Sequence, residues 1–161
     1  MGAGAVLILA ATADALTALD PRDGIVLSLE HATDVIHQCS RSSPGSVEGS
    51  WLPAEREIRD LEARLPQALN DALAKSGRPA ERSRDIGRQY AGLRVAGRKI
   101  IYVNGFPLSM IQTEARNTPR PSRDGWKTRA VMVCDGGPAF FGVEYDPKTR
   151  TFSNFAFNGI A

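Results

Sequence analysis

The chain has 161 residues, a net charge of +2, 42% hydrophobic and 24% charged residues. These are ordinary values for one soluble globular domain, long enough to bury roughly two-thirds of its unfolded surface without needing staples. The net charge gives no ground for a nucleic-acid partner, but it conceals an asymmetry. Residues 1–74 carry 5 basic and 11 acidic residues, residues 75–129 carry 13 and 4, and residues 130–161 carry 2 and 3. Two readings stay open: the acidic and basic parts pack side by side, or a basic face meets an anionic partner.

The N-terminus reads as a signal peptide over 1–15. Ala5–Ala11 is an apolar run, followed by small-x-small sites at Ala11-Thr12-Ala13 and Ala13-Asp14-Ala15. The run is too short to span a bilayer, so no transmembrane segment is expected there. No Lys or Arg precedes it. Either residues are missing from the start or the segment is a buried helix; the signal peptide is preferred. Residues 16–161 then form a single domain.

Asp20-Pro21-Arg22-Asp23-Gly24 is a turn signal. Leu29, Ala32, Ile36 and Cys39 recur at spacings of three and four, which predicts a short helix over 28–40 with Cys39 on its buried face. Residues 40–50 are rich in Ser and Gly and read as a loop. The clearest element is a helix over 53–76. Ile58, Leu61, Leu65, Leu69 and Leu73 form one stripe, Pro53 opens it and Gly77 with Pro79 closes it. Pro66 falls inside and is expected to kink or break the helix.

Strand patterns follow. Tyr90–Val95 and Lys99–Phe106 form a hairpin about Ala96-Gly97-Arg98, with Ile101 and Val103 opposite Ile100, Tyr102 and Asn104. Residues 112–125 read as a polar loop, and Ala130–Cys134 as a central strand. Phe140–Tyr145 and Thr151–Phe157 form a second hairpin about Asp146-Pro147. Alternation puts Phe155 and Phe157 opposite Phe152. The expected fold class is α+β: N-terminal helices packed on an antiparallel sheet of about five strands.

Cys39 and Cys134 are the two cysteines. In an oxidising compartment they form a disulfide; in the cytosol they would be buried free thiols. A free Cys134 beside the Asp135-Gly136-Gly137 turn would be a nucleophile, with His31 or His37 as its base. His31, His37 and Cys39 lack the spacing of a zinc site, so no metal and no cofactor is implied. Asp135, Glu144 and Asp146 are carboxylates without evidence of a raised pKa. Arg116, Arg120, Arg123, Lys127 and Arg129 surround Trp126, a basic and aromatic set suited to an anionic surface or to nothing more than a solvated loop. Phe141 and Tyr145, in the aromatic C-terminal hairpin, belong either to the core or to an apolar patch for a partner.

The strings Gln38-Cys39-Ser40-Arg41, Trp51-Leu52-Pro53, Arg88-Gln89-Tyr90-Ala91-Gly92 and Cys134-Asp135-Gly136-Gly137, with Phe141–Pro147, resemble small uncharacterised exported proteins of proteobacteria, over roughly 38–159. No activity comes with that resemblance. The order of a helix followed by antiparallel strands is also similar to the cystatin arrangement, in element order only. The resulting expectation is a periplasmic or secreted, non-enzymatic binding protein with a protein partner in the cell envelope, an inhibitor or immunity-type factor being one form of it. The alternative is a small envelope hydrolase acting through Cys134.

Overall fold

The computed structural model describes residues 23–42, 44–77, 85–116 and 124–159 and, over 113–116, the backbone alone. The expected signal segment lies outside the described residues, as do Arg120 and Arg123. In chain order the strands are β1 (Gly24–Val26), β2 (Val47–Trp51), β3 (Ile86–Val95), β4 (Arg98–Pro107), β5 (Phe141–Asp146) and β6 (Thr151–Phe157). Helix α1 (Glu55–Lys75) precedes β3, and helix α2 (Leu108–Arg116) follows β4.

The strands make one six-stranded sheet in the order β1-β3-β4-β5-β6, with β2 also on β3. β1 runs parallel to Arg88–Tyr90, and β2 runs antiparallel to Gly92–Val95. The two short strands therefore share one edge of β3 end to end. The α+β class stands, with two corrections. The sheet is mixed and has six strands, because β1 returns to β3 in parallel. The long helix is not N-terminal, because both β1 and β2 precede it.

The apolar stripe of α1 forms as its spacing requires, with Leu61, Leu65 and Leu73 buried. Glu57 reaches back to the Ala54 N–H at 2.7 Å, satisfying an otherwise orphaned donor at the helix start. Gly77, at φ +67°, ends it. Pro66 does not break the helix, which runs continuously from Glu55 to Lys75. The lost ladder bond is outweighed by the three buried leucines, each worth roughly 1.5–3 kcal/mol of burial.

The β3–β4 hairpin turns on two residues, Ala96 and Gly97, at φ +48° and +71°. Two positive φ values match the twist of a two-residue hairpin loop. One face of the sheet lies under α1. There Tyr90, Ile101, Val103, Phe141, Val143 and Tyr145 pack with Leu61 and Leu65. A buried charge pair sits among them. Arg88 Nη2 donates to Glu62 Oε1 at 2.8 Å, and Arg88 Nε donates to the Tyr90 hydroxyl at 2.9 Å.

Phe152, Phe155 and Phe157 all pack against this same core, so Phe152 does not oppose the other two. Register slips between Gly142 and Glu144 in the β5–β6 pairing, and Asn154 sits at φ +54°. The extra residue returns Phe155 and Phe157 to the side of Phe152. The rings of Tyr145, Phe152, Phe155 and Phe157 then follow one another at centroid distances of 4.8–6.4 Å.

The opposite face is covered by irregular chain. Residues 28–40 are turns with a single 3-10 turn at Asp34–Ile36, not the expected helix. Bonds from Asp34 N to His31 O and from His37 N to Asp34 O give a three-residue period. The buried residues are accordingly Ala32, Val35, Gln38 and Arg41. The same period turns Cys39 out to solvent instead of into the core, and Leu29, ahead of these turns, is 48% exposed.

Ala130–Cys134 is likewise not a strand. Val131 is buried and Met132 is 58% exposed, so side chains alternate as expected. The backbone bonds, however, go to side-chain amides. Val131 O accepts from Asn104 Nδ2 at 2.9 Å and from Gln38 Nε2 at 3.0 Å, while Val131 N donates to Gln89 Oε1 at 2.9 Å. Asn158 Nδ2 donates to Val133 O and Asp135 O. The start of the expected 112–125 loop is the end of α2, whose first turn is anchored by Ser109 N donating to Asp85 Oδ2 at 2.7 Å.

Candidate functional site

Cys39 and Cys134 are bridged, with Cα atoms 4.9 Å apart. That is an ordinary disulfide span. It closes a loop across 95 positions and removes the expected nucleophile, since no thiolate exists while the bond stands. His31 Nδ1 lies 3.0 Å from Asp34 Oδ2, and His37 is exposed. Among the described residues no group of three or more His, Cys, Asp or Glu side chains converges to hold a metal.

The three carboxylates serve separate ends. Glu144 is buried and accepts from Asn154 Nδ2 at 2.8 Å. Asp146 Oδ1 accepts from Lys148 N and Thr149 N, fixing the β5–β6 turn. Asp135 is exposed.

The expected binding residues are also corrected. Phe141 and Tyr145 are 1% and 0% exposed beneath α1, because their face of β5 is the one the helix covers. They belong to the core and offer no surface. Trp126 is 5% exposed and meets Phe106 edge-on at 5.9 Å, so it is not a stacking platform. Arg116 ends α2, while Arg120 and Arg123 lie outside the described residues.

The site that does stand out is Arg41, on the face away from α1. It is 7% exposed, and only its Nη2 has a partner, Asn104 Oδ1 at 2.7 Å. Nε and Nη1 are buried without a hydrogen-bond acceptor. Among the described residues no carboxylate lies within ion-pair distance of Arg41. Buried donors are nearly always satisfied, and a buried cation without an opposite charge is more costly still.

The surroundings of Arg41 are built from the sheet. Gly142 of β5 pairs with Asn104 of β4. A Cβ at Gly142 would fall 2.1 Å from the Tyr102 hydroxyl and 3.0 Å from Arg41 Nη1. The hydroxyl and the guanidinium therefore converge above a backbone that only glycine leaves open. Asn104 is held by Gln89 Oε1 at 3.0 Å, which fixes the Arg41 anchor in turn. Burial draws the Arg41 pKa below its ordinary value, with the Tyr102 oxygen opposing the shift. Burial likewise raises the Tyr102 pKa; Arg41 opposes that rise and Glu144 adds to it. The hydroxyl thus stays a donor at neutral pH. The set comprises a fixed cation and a hydroxyl, suited to holding an acceptor.

In the sequence Arg41 stands only within the string Gln38-Cys39-Ser40-Arg41, with no role attached. Its signal is the three-residue recurrence Ala32, Val35, Gln38, Arg41, which a helical period of 3.6 obscures. Among the described residues no helix is long and apolar enough to cross a membrane. No family model, curated protein or solved structure matches the chain.

Proposed function

We propose that the chain is an exported, non-enzymatic binding protein that engages a protein partner in the cell envelope, as an inhibitor or immunity-type factor does. The observation carrying this reading is Arg41, a cation taken out of water with two nitrogens, Nε and Nη1, unmet and no carboxylate beside it among the described residues. Folding spends free energy on that arrangement and gains no packing that an aliphatic residue would not supply. Export is supported by the Cys39–Cys134 disulfide, which persists in oxidising compartments, together with the apolar run at 5–11. The hydrolase alternative lacks its nucleophile while Cys134 is bridged.

The test is a cross-linked pull-down from the envelope fraction of the source cell, comparing the wild-type chain with Arg41→Met. One protein recovered in near-equal amount by the wild type, and lost with the variant, is the expected result. Recovery of nothing specific by the wild type overturns the interaction. Two free thiols and an uncleaved N-terminus in the intact mass under non-reducing conditions overturn export.

A further inference from the structure

We propose that Arg41 Nη1 and the Tyr102 hydroxyl together bind a carboxylate group above Gly142. The inference rests on the binding role of Arg41 and names the chemistry of what is bound.

The geometry restricts the ligand in three ways. The first concerns charge. Arg41 brings one uncompensated positive charge, and its single partner, Asn104 Oδ1, is neutral. A trapped water would satisfy an N–H but leave that charge unanswered, whereas a monoanion answers both. The second concerns sign and valence. Glu144 follows Gly142 by two residues on β5 and faces Tyr102 from the same side of the sheet, directly opposite it in the β4–β5 pairing. A phosphate dianion would meet that carboxylate with twice the repulsion of a monoanion. The third concerns position. The Tyr102 hydroxyl and Arg41 Nη1 lie 2.1 and 3.0 Å from where a Gly142 Cβ would stand, so the two donors lie close enough together to share one small acceptor group.

Nothing in the chain supplies this group among the described residues. Glu144 Oε1 is engaged by Asn154 Nδ2 at 2.8 Å, and Asp135 is exposed beyond the disulfide. On this proposal the carboxylate comes from outside the described residues, carried by a partner's acidic side chain or by a free small acid.

Formate, as its sodium salt at constant ionic strength with chloride as the replaced ion, is the probe. The readouts are the Arg41 Nε–H resonance in proton–nitrogen NMR spectra of the intact disulfide-bonded protein and the melting temperature. Saturable movement of that resonance and a rise in Tm are expected for the wild type. Tyr102→Phe retains the ring and loses one hydrogen bond to the charged group, so its formate affinity falls about tenfold. Arg41→Met abolishes the Tm response. Absence of saturation in the wild type, an equal Tm rise in all three proteins, or phosphate binding as tightly as formate would each overturn the proposal. The wild-type titration needs no variant to fold. If formate saturates but partner capture is indifferent to Arg41, the partner reading fails and the carboxylate site stands. If capture depends on Arg41 and formate does not bind, only the carboxylate assignment fails. A partner complex dissociated by formate assigns the group to the partner; a complex that formate leaves intact assigns it to a free acid.

Discussion

At the scale of the residue, the most consequential carboxylate is Asp60, on the exposed side of the α1 stripe. Its Oδ2 accepts from the Tyr145 hydroxyl and, at 2.9 Å, from Arg150 Nε; its Oδ1 accepts from Arg150 Nη2. Arg150 sits at φ +60° at the end of the β5–β6 turn, so this one side chain ties that hairpin to the helix. The hydrogen bonds from Arg150 and then Tyr145 hold the Asp60 carboxyl far below its usual range. Burial, then the Asp60 hydrogen bond, pushes Tyr145 up to about 12. A carboxyl with a depressed folded pKa contributes stability that is fully present above its unfolded pKa of about 3.9 and is lost as pH falls toward the folded value. Asp60→Asn should therefore be less stable than wild type at pH 7, with the gap narrower at pH 2.5. Urea midpoints of both proteins at the two pH values measure this. A gap that is the same at both would mean that Asp60 ionisation contributes nothing to the tie.

At the scale of the element, what was legible followed from how local the cause was. The α1 stripe, the Ala96-Gly97 turn and the two hairpins rest on contacts within one element or its neighbour, and the sequence predicts all of them. The irregular cover of the sheet depends on distant amides, and no local pattern announces it. Ala130–Cys134 has the alternation of a strand, yet Asn104, Gln89, Gln38 and Asn158 supply the bonds that a neighbouring strand would otherwise provide. Asn154 is similarly silent, because one residue at positive φ reverses the facing of the two phenylalanines after it. The amide network makes a specific prediction. Asn104→Ala removes one bond each from Arg41, Gln89 and Val131; Val131 O keeps Gln38 and Gln89 Oε1 keeps the Val131 N–H, so the guanidinium alone loses its last partner, and the protein should be destabilised by about 1–3 kcal/mol. Hydrogen exchange locates the effect: the Val131 and Val133 amides should lose protection before those of β3 and β4. Uniform loss across the sheet would show that the network is part of the global core and does not act as a separate fastening.

At the scale of the whole molecule, the disulfide joins the two irregular segments that cover the face around Arg41, one arriving before β2 and the other before β5. Both cysteines are exposed, so replacing them forfeits little buried area. Their contribution is instead a constraint on the unfolded chain across 95 positions. The chain-entropy model gives about 4–5 kcal/mol for a loop of that length, a large share of the roughly 5–15 kcal/mol that stabilises a domain. Cys39→Ser with Cys134→Ser should accordingly lower the urea midpoint strongly and steepen the m-value, because the unbridged denatured state exposes more surface. Native packing on the α1 face has no reason to change. The aromatic near-ultraviolet signal in the absence of urea should therefore survive, while affinity at Arg41 falls as residues 39–41 loosen. A loss below about 1 kcal/mol with an unchanged m-value would place the bridge's role outside the unfolded state. Intact stability with weakened binding would then assign the disulfide to holding Arg41 over Gly142, where positional accuracy of the guanidinium matters more than the free energy of the fold.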